Sequence, residues 1–473
     1  MTELFELTAR EAVDKLRSGA VSTSELIDAA LGRIEQTDGA LNALPILCAD
    51  RAREHAARLE HPDPADAPRG YLYGLPIAIK DMKDVGGVLC TRGSPIFADH
   101  VPEESDLLVT ILESRGGVVL AKSNTPEFAA GANTFNEVFG KTRNPWNTDM
   151  TCGGSSGGSA TALASGQVWL ASGSDLGGSL RIPASFCSVI GLRPTPGRVA
   201  HGPRSMPFGT LAVEGPMGRT VGDTALMLDA QAGAYREDPL SLPAPERSFV
   251  DWVDNPTTPR RIGFTPDLGL TAVDPEVAEI CRNAMAHFRD MGAEVEDASP
   301  DMGDSEWIFQ TLRGASFVAN YRTLLAERRS ELKPEMIWNI EHGLGLSQDD
   351  LARAKLERGA LINRTAEFFG KYDLLACPVV LAPPFDVNIR YLSEVNGVEF
   401  DTYISWLIMT FALTLTSAPA ISVPCGFTES GLPVGLQIVA PWKEEGYLLG
   451  ASALFEEAAG LSKLVPMDPR TAV

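Results

Sequence analysis

Between Thr151 and Thr195 the chain carries two Gly-Gly-Ser units, and nothing else in it limits its folding choices as much. The first lies in Thr-Cys-Gly-Gly-Ser-Ser-Gly-Gly-Ser at 151–159. The second lies in Gly-Ser-Asp-Leu-Gly-Gly-Ser-Leu-Arg-Ile-Pro-Ala-Ser at 173–185. Glycine lets the backbone turn at positive φ and lets a ligand approach main-chain N–H groups. Serine supplies a hydroxyl that becomes a nucleophile once a base takes its proton. One such cluster alone reads as a flexible loop. Here two flank the apolar segment 160–170, which is long enough for one helix. The pattern therefore predicts two loops joined by a helix on one edge of a sheet.

Two generic motifs compete for this stretch. Gly-x-Ser-x-Gly matches twice, centred on Ser155 and Ser156. An α/β-hydrolase nucleophile elbow would need a preceding strand with Asp and His partners downstream. His201, His287 and His342 follow, but none stands in a recognisable loop signature. A phosphate-binding P-loop requires a lysine after its second glycine, and that lysine is absent. Lys80 is the alternative base. It ends the apolar run 75–79, which reads as a buried strand, and it precedes Asp81. Such a lysine could simply pair with Asp81 or Asp84. With the serine loops present, burial that strips the ammonium of hydration would lower its pKa and free it to accept a proton.

Alternating strand and helix signals elsewhere argue for an α/β fold, one large domain whose sheet is covered by helices on both faces. Strands are expected at 117–121, 167–171, 189–192, 261–264, 292–296, 373–378, 420–423 and 435–439. Residues 8–60 are helical by period, with Thr8 and Glu11 forming a capping box and Thr23 capping a second helix. These helices could form a homodimer face or simply pack. Helices also read at 105–115, at 274–291 with Asp274 as cap and Gly292 as stop, and over 305–370. The last carry Trp307, Phe317, Tyr321 and Trp338, as core or as walls of a substrate mouth. Residues 61–69 read as a loop and 239–259 as a surface excursion. No linker divides 1–473, which is read as a helical segment (1–70), a core carrying the reactive residues (71–225), and inserted helices with the completion of the sheet (226–473).

A net charge of −22 works against nucleic acid or an anionic membrane as partner. Seven cysteines, an odd number with no Cys-x-x-Cys, read as reduced thiols of a cytoplasmic protein. Cys152, beside the first glycine loop, is a candidate nucleophile without a histidine placed to serve it. The histidines show no metal-ligand spacing. The start, Met1-Thr-Glu-Leu-Phe-Glu, lacks the basic and apolar segments of a signal peptide.

Taken together, Gly-Gly-Ser-Ser-Gly-Gly-Ser and Gly-Ser-Asp-Leu-Gly-Gly-Ser-Leu-Arg-Ile-Pro-Ala resemble the amidase signature family. So do Gly74-Leu-Pro-Ile-Ala-Ile-Lys80-Asp81, the block 121–128, Arg143-Asn-Pro-Trp146, Gly191-Leu-Arg-Pro-Thr195 and Gly431-Leu-Pro-Val-Gly-Leu-Gln437, in the family's order. The resemblance implies a hydrolase of carbonyl–nitrogen bonds in amides, anilides, hydrazides or carbamates, with no metal or organic cofactor and a small-molecule substrate. It implies Ser179 as nucleophile, Ser155 as bridging serine behind a cis Gly154–Ser155 peptide, and Lys80 as base. It implies an oxyanion hole from the amides of Leu176, Gly177, Gly178 and Ser179, supported by Ser156, Asp175 and Arg181. Substrate is expected against Phe128, Met150, Cys152, Gly153, Gly154 and Ile182, with Phe186 nearby. That is an apolar wall, unsuited to a zwitterion. The family's glutaminase subunits of tRNA-dependent amidotransferases are the alternative. Ile182 stands where those members usually carry glutamine, Leu176 replaces a usual threonine, and Ala412 and Ser417 replace asparagine and glycine.

Overall fold

The apolar runs of this chain are too numerous and too hydrophobic to face water, and the fold stacks most of them into one sheet. A computed structural model describes residues 3–202 and 205–471. Met1 and Thr2, where the signal-peptide reading begins, and the final residues 472–473 of the expected domain lie outside them. Among the described residues, the central sheet has eleven strands: β1 Ile46–Leu47, β2 Pro76–Lys80, β3 Val118–Ser123, β4 Leu170–Asp175, β5 Ile190–Arg193, β6 Val213–Gly218, β7 Arg261–Phe264, β8 Glu294–Asp297, β9 Leu374–Pro378, β10 Ala420–Phe427 and β11 Pro433–Val439. Their spatial order is β1-β3-β2-β4-β6-β5-β10-β11-β9-β7-β8. The sheet is mixed. β3, β2 and β4 run parallel, as do β9, β7 and β8, while β6, β5, β10 and β11 pair antiparallel. Every residue of β2 and β3 is buried, as expected of parallel strands covered on both faces.

Helices supply that cover. Thr8 caps Ala9–Arg17 through the expected capping box with Glu11. The next helix, Thr23–Leu41, is capped one residue earlier than expected, because Ser22 rather than Thr23 accepts from Glu25 and Glu25 reaches back to it. The helix expected over 274–291 keeps its Asp274 cap but breaks at Met285 into Pro275–Ala284 and Ala286–Asp290. The 305–370 segment forms Ser305–Arg328, Pro334–Leu344 and Gln348–Phe369. Within the expected surface excursion, Phe249–Asp254 is helical and Phe249 is buried.

The parallel register of β2 beside β4, Ile77 opposite Leu170 and Ala78 opposite Ala171, brings their carboxyl ends to the same edge. Open α/β sheets bind ligands at such edges. Lys80 ends β2 and Asp175 ends β4. The helix Gly157–Ala164, shorter than the apolar segment suggests, crosses between the two serine loops.

Candidate active site

Lys80 is the centre of the site. Its side chain is 1% exposed, and its ammonium nitrogen donates to Ser155 Oγ at 2.7 Å, Ser156 Oγ at 3.0 Å and Ser174 Oγ at 3.0 Å. Its backbone N–H holds Ser172 Oγ at 3.0 Å. Burial pushes the Lys80 pKa down from 10.5 to about 7, against the opposing pull of Glu214 and Asp175. A lysine with that pKa is half neutral near pH 7 and can accept a proton. It does not pair with Asp81, whose carboxylate instead meets Lys122 at 2.7 Å and Thr91 Oγ1 at 2.5 Å.

The two loops are locked to each other. The Gly154–Ser155 peptide is cis. Ser156 N–H donates to Ser179 O, and Ser156 Oγ accepts from Ser174 N–H. Both Ser155 and Ser179 stand two residues ahead of a helix, Gly157–Ala164 and Arg181–Cys187 respectively. Both line a cavity of about 220 Å³. Ser155 is fully buried and Ser179 half-buried. Their hydroxyls are not hydrogen-bonded to each other in this structure.

Asp175 organises the second loop. Its carboxylate accepts from Gly178 N–H at 3.0 Å, Leu180 N–H at 3.2 Å and the Arg181 guanidinium, with Arg193 alongside. Burial alone would raise its pKa, but Arg181 and Arg193 overcome that and hold it well below the carboxylate range. The Gly178 amide, expected in the oxyanion hole, is therefore already engaged. The amides of Leu176, Gly177 and Ser179 have no hydrogen-bond partner among the described residues. Gly178 sits at φ +118°, and a Cβ there would lie 2.3 Å from Thr410 Oγ1. Thr410 in turn donates to Gly177 O at 2.7 Å.

The lining of this cavity differs from the expected substrate wall. Of Phe128, Met150, Cys152, Gly153, Gly154 and Ile182, Phe128 lines the cavity and the others do not. Cys152 is buried behind the loop, where it donates to Thr142 O, and burial pushes its thiol up to about 12. Ile182 and Phe186 are buried in the core. Residues near Ser179 in sequence are thus not its neighbours across the cavity. The facing wall is the helix Ser305–Arg328, through Phe309, Arg313, Phe317 and Tyr321, at the four-residue spacing of one helix face. Trp307 and Trp338 stay outside it, stacked against Arg353 and His342. Leu407, Ile404, Met82 and Leu176 complete the apolar surface, and Lys83 and Glu214 form an ion pair of 2.9 Å on the rim. Ser174 is a further polar member that sequence reasoning passed over, although it lies in the second Gly-Ser cluster.

A desolvated lysine, two loop serines and amides unengaged among the described residues thus meet at one cavity. The amidase family model matches residues 25–449. An acylamidase of Rhodococcus erythropolis is 34% identical over 473 residues, spanning 99% of both chains. The A-subunit of glutamyl-tRNA(Gln) amidotransferase from Geotalea daltonii is 33% identical, over 96% of this chain and 98% of that one. The crystal structure of a bacterial aryl acylamidase of the amidase signature family superposes with a TM-score of 0.89 at 30% identity, over 99% of this chain and all of the other. The chain belongs to the amidase family, the amidase signature enzymes. It is an amidase-type hydrolase of carbon–nitrogen bonds other than peptide bonds. No helix among the described residues is long and apolar enough to cross a membrane.

Proposed function

We propose that the protein hydrolyses a small-molecule amide or anilide through Ser179, Ser155 and Lys80. The observation that carries this reading is the 2.7 Å bond from a buried, easily neutralised Lys80 to Ser155, in a cavity that Ser179 also lines. Ser179 Oγ attacks the substrate carbonyl carbon while its proton passes to Ser155, whose own proton passes to neutral Lys80. The tetrahedral oxyanion takes hydrogen bonds from the free amides of the 176–179 loop, each typically worth about 10²–10³ in rate. The intermediate collapses, the C–N bond breaks, and the leaving nitrogen takes its proton from Lys80 by way of Ser155. Water then attacks the acyl-enzyme, returning a proton along the same path and releasing the acid and Ser179. Phe128, Phe309, Phe317 and Leu407 suit an aryl or alkyl body, which gains roughly 25 cal/mol per Å² of apolar surface buried.

The test is Ser179→Ala assayed on a neutral anilide. Turnover is expected to fall by about three orders of magnitude or more with an unchanged circular dichroism spectrum. Turnover near wild type would remove Ser179 from the mechanism. The glutaminase reading is supported by the 33% identity to the Geotalea amidotransferase protein. It predicts that the isolated chain releases ammonia from glutamine faster than amine from an anilide. The seven unbridged cysteines support a cytoplasmic location, and the net charge of −22 supports a partner list without nucleic acid. The N-terminal helices as a homodimer face would be tested by sedimentation.

A further inference from the structure

Arginine cannot shed its proton, so a buried guanidinium needs either a carboxylate or a ligand to supply the missing charge. Arg313 is 5% exposed and lines the active-site cavity. Its two terminal nitrogens donate to Asn339 Oδ1 and to the Tyr403 hydroxyl, both neutral. Its faces lie on the Phe317 and Tyr403 rings, 4.3 and 5.6 Å from their centroids. Among the described residues no carboxylate stands within ion-pair distance of it. Glu335, on the adjoining helix, is taken by Arg390 at 2.7 Å. The other cation on the cavity wall, Lys83, has Glu214 at 2.9 Å. Arg313 thus brings a cation without a carboxylate partner among the described residues to the cavity wall that it shares with Phe309, Phe317 and Tyr321.

A second observation points the same way. The Tyr403 hydroxyl accepts from both Arg313 and Asn339 Nδ2, and among the described residues its own proton is given to no acceptor. The phenol thus holds the guanidinium in place, and the guanidinium keeps further N–H donors that suit the two oxygens of a planar carboxylate. The position is also suitable. Phe309 lies against Gly177, where a Cβ would be 3.3 Å from its ring. Arg313 follows four residues later, about 6 Å along the axis. A substrate with its scissile carbonyl at the 176–179 loop would reach Arg313 with its far end.

We infer that Arg313, with Tyr403 beside it, is a specificity-determining residue that binds a carboxylate on the substrate at the end remote from the scissile bond. The preferred class is then an amide with an apolar or aryl body and a terminal carboxylate. This rests on the amidase reading above, and the experiment separates the two.

Succinanilic acid and its carboxamide, succinanilamide, differ at the remote end and share one scissile anilide. For the wild-type chain, kcat/KM is expected to favour the acid by about tenfold or more, mainly through KM. Arg313→Gln should cut that preference by about tenfold to a hundredfold. Arg313→Lys should retain part of it, because it keeps the charge but not the fork. Succinate binding by calorimetry to the full chain supplies a readout independent of turnover, and the same loss of affinity is expected in Arg313→Gln. Should that variant fail to fold, the wild-type acid-to-amide ratio and the Arg313→Lys variant decide. Equal kcat/KM for acid and amide in the wild type, or succinate affinity unchanged on substitution, overturns the assignment and leaves the amidase reading intact. Hydrolysis of neither anilide, with Arg313-dependent succinate binding, keeps the assignment and overturns anilides as the substrate class of the proposed function.

Discussion

Replacing Lys80 by methionine removes a charge from a buried site while keeping its length, and the outcome depends on pH in a calculable way. The folded pKa is about 7 against an ordinary 10.5, with burial as the main cause. For activity, about one-tenth of the lysine is neutral at pH 6 and about nine-tenths at pH 8. Log kcat/KM should therefore rise with unit slope up to about pH 7 and level off above it, while Lys80→Met should lie flat and several orders lower. For stability, the folded pKa lies below the unfolded one. Between about pH 7 and 10.5 the unfolded chain therefore binds the extra proton, and stability rises with pH. The slope for this one group is about 1.4 kcal/mol per pH unit. Subtracting the Lys80→Met curve cancels the other titrating groups. Urea unfolding of both proteins at pH 7, 8 and 9 measures the difference, which should shift toward wild type by roughly 2 kcal/mol over that range. Ser155, Ser156 and Ser174 lose a donor in the variant, a cost of about 1–3 kcal/mol that does not vary with pH. A pH-independent difference, or a kcat/KM profile without a break near 7, would refute a desolvated Lys80 as base.

Gly178→Ala places a methyl group 2.3 Å from Thr410 Oγ1 at a φ of +118°; the loop must shift, and kcat should fall about a hundredfold or more in steady-state assays. Asp175→Asn leaves Arg181 and Arg193 buried without their anion and should cost about 3–5 kcal/mol in denaturant unfolding. Cys152→Ala should keep turnover within a few-fold of wild type, since a thiol held at about pKa 12 is not a thiolate at neutral pH.

Much of this architecture was legible because it rests on local signals. The runs at Arg261–Phe264 and Leu374–Pro378 announce strands by apolar density alone. β6, Val-Glu-Gly-Pro-Met-Gly, gives no such signal, yet it sits centrally between β4 and β5. Packing decides it: a Cβ at Gly215 would lie 2.3 Å from Leu192 O, so the glycine is there to let the neighbouring strand in. Lys80, Ser155 and Ser179 could be picked out because their motifs are contiguous. The facing wall of the cavity could not, because Phe309 and Arg313 come from a helix more than a hundred residues downstream. Nothing local separates a helix face that lines a cavity from one that fills a core.

The Arg181 side chain has a consequence for how the protein is made. It anchors the loop that carries Ser179 by donating to Thr410 O, Thr414 Oγ1 and Gln437 Oε1, the last 256 residues further along the chain. A ribosome finishes every residue of the lysine–serine constellation long before it reaches these anchors. Closing a loop of that length costs entropy that local structure cannot offset in advance. The nascent chain is therefore expected to stay without hydrolytic power until its last strands have docked. Fragments ending before 410 should be inert even though they carry Lys80, Ser155 and Ser179.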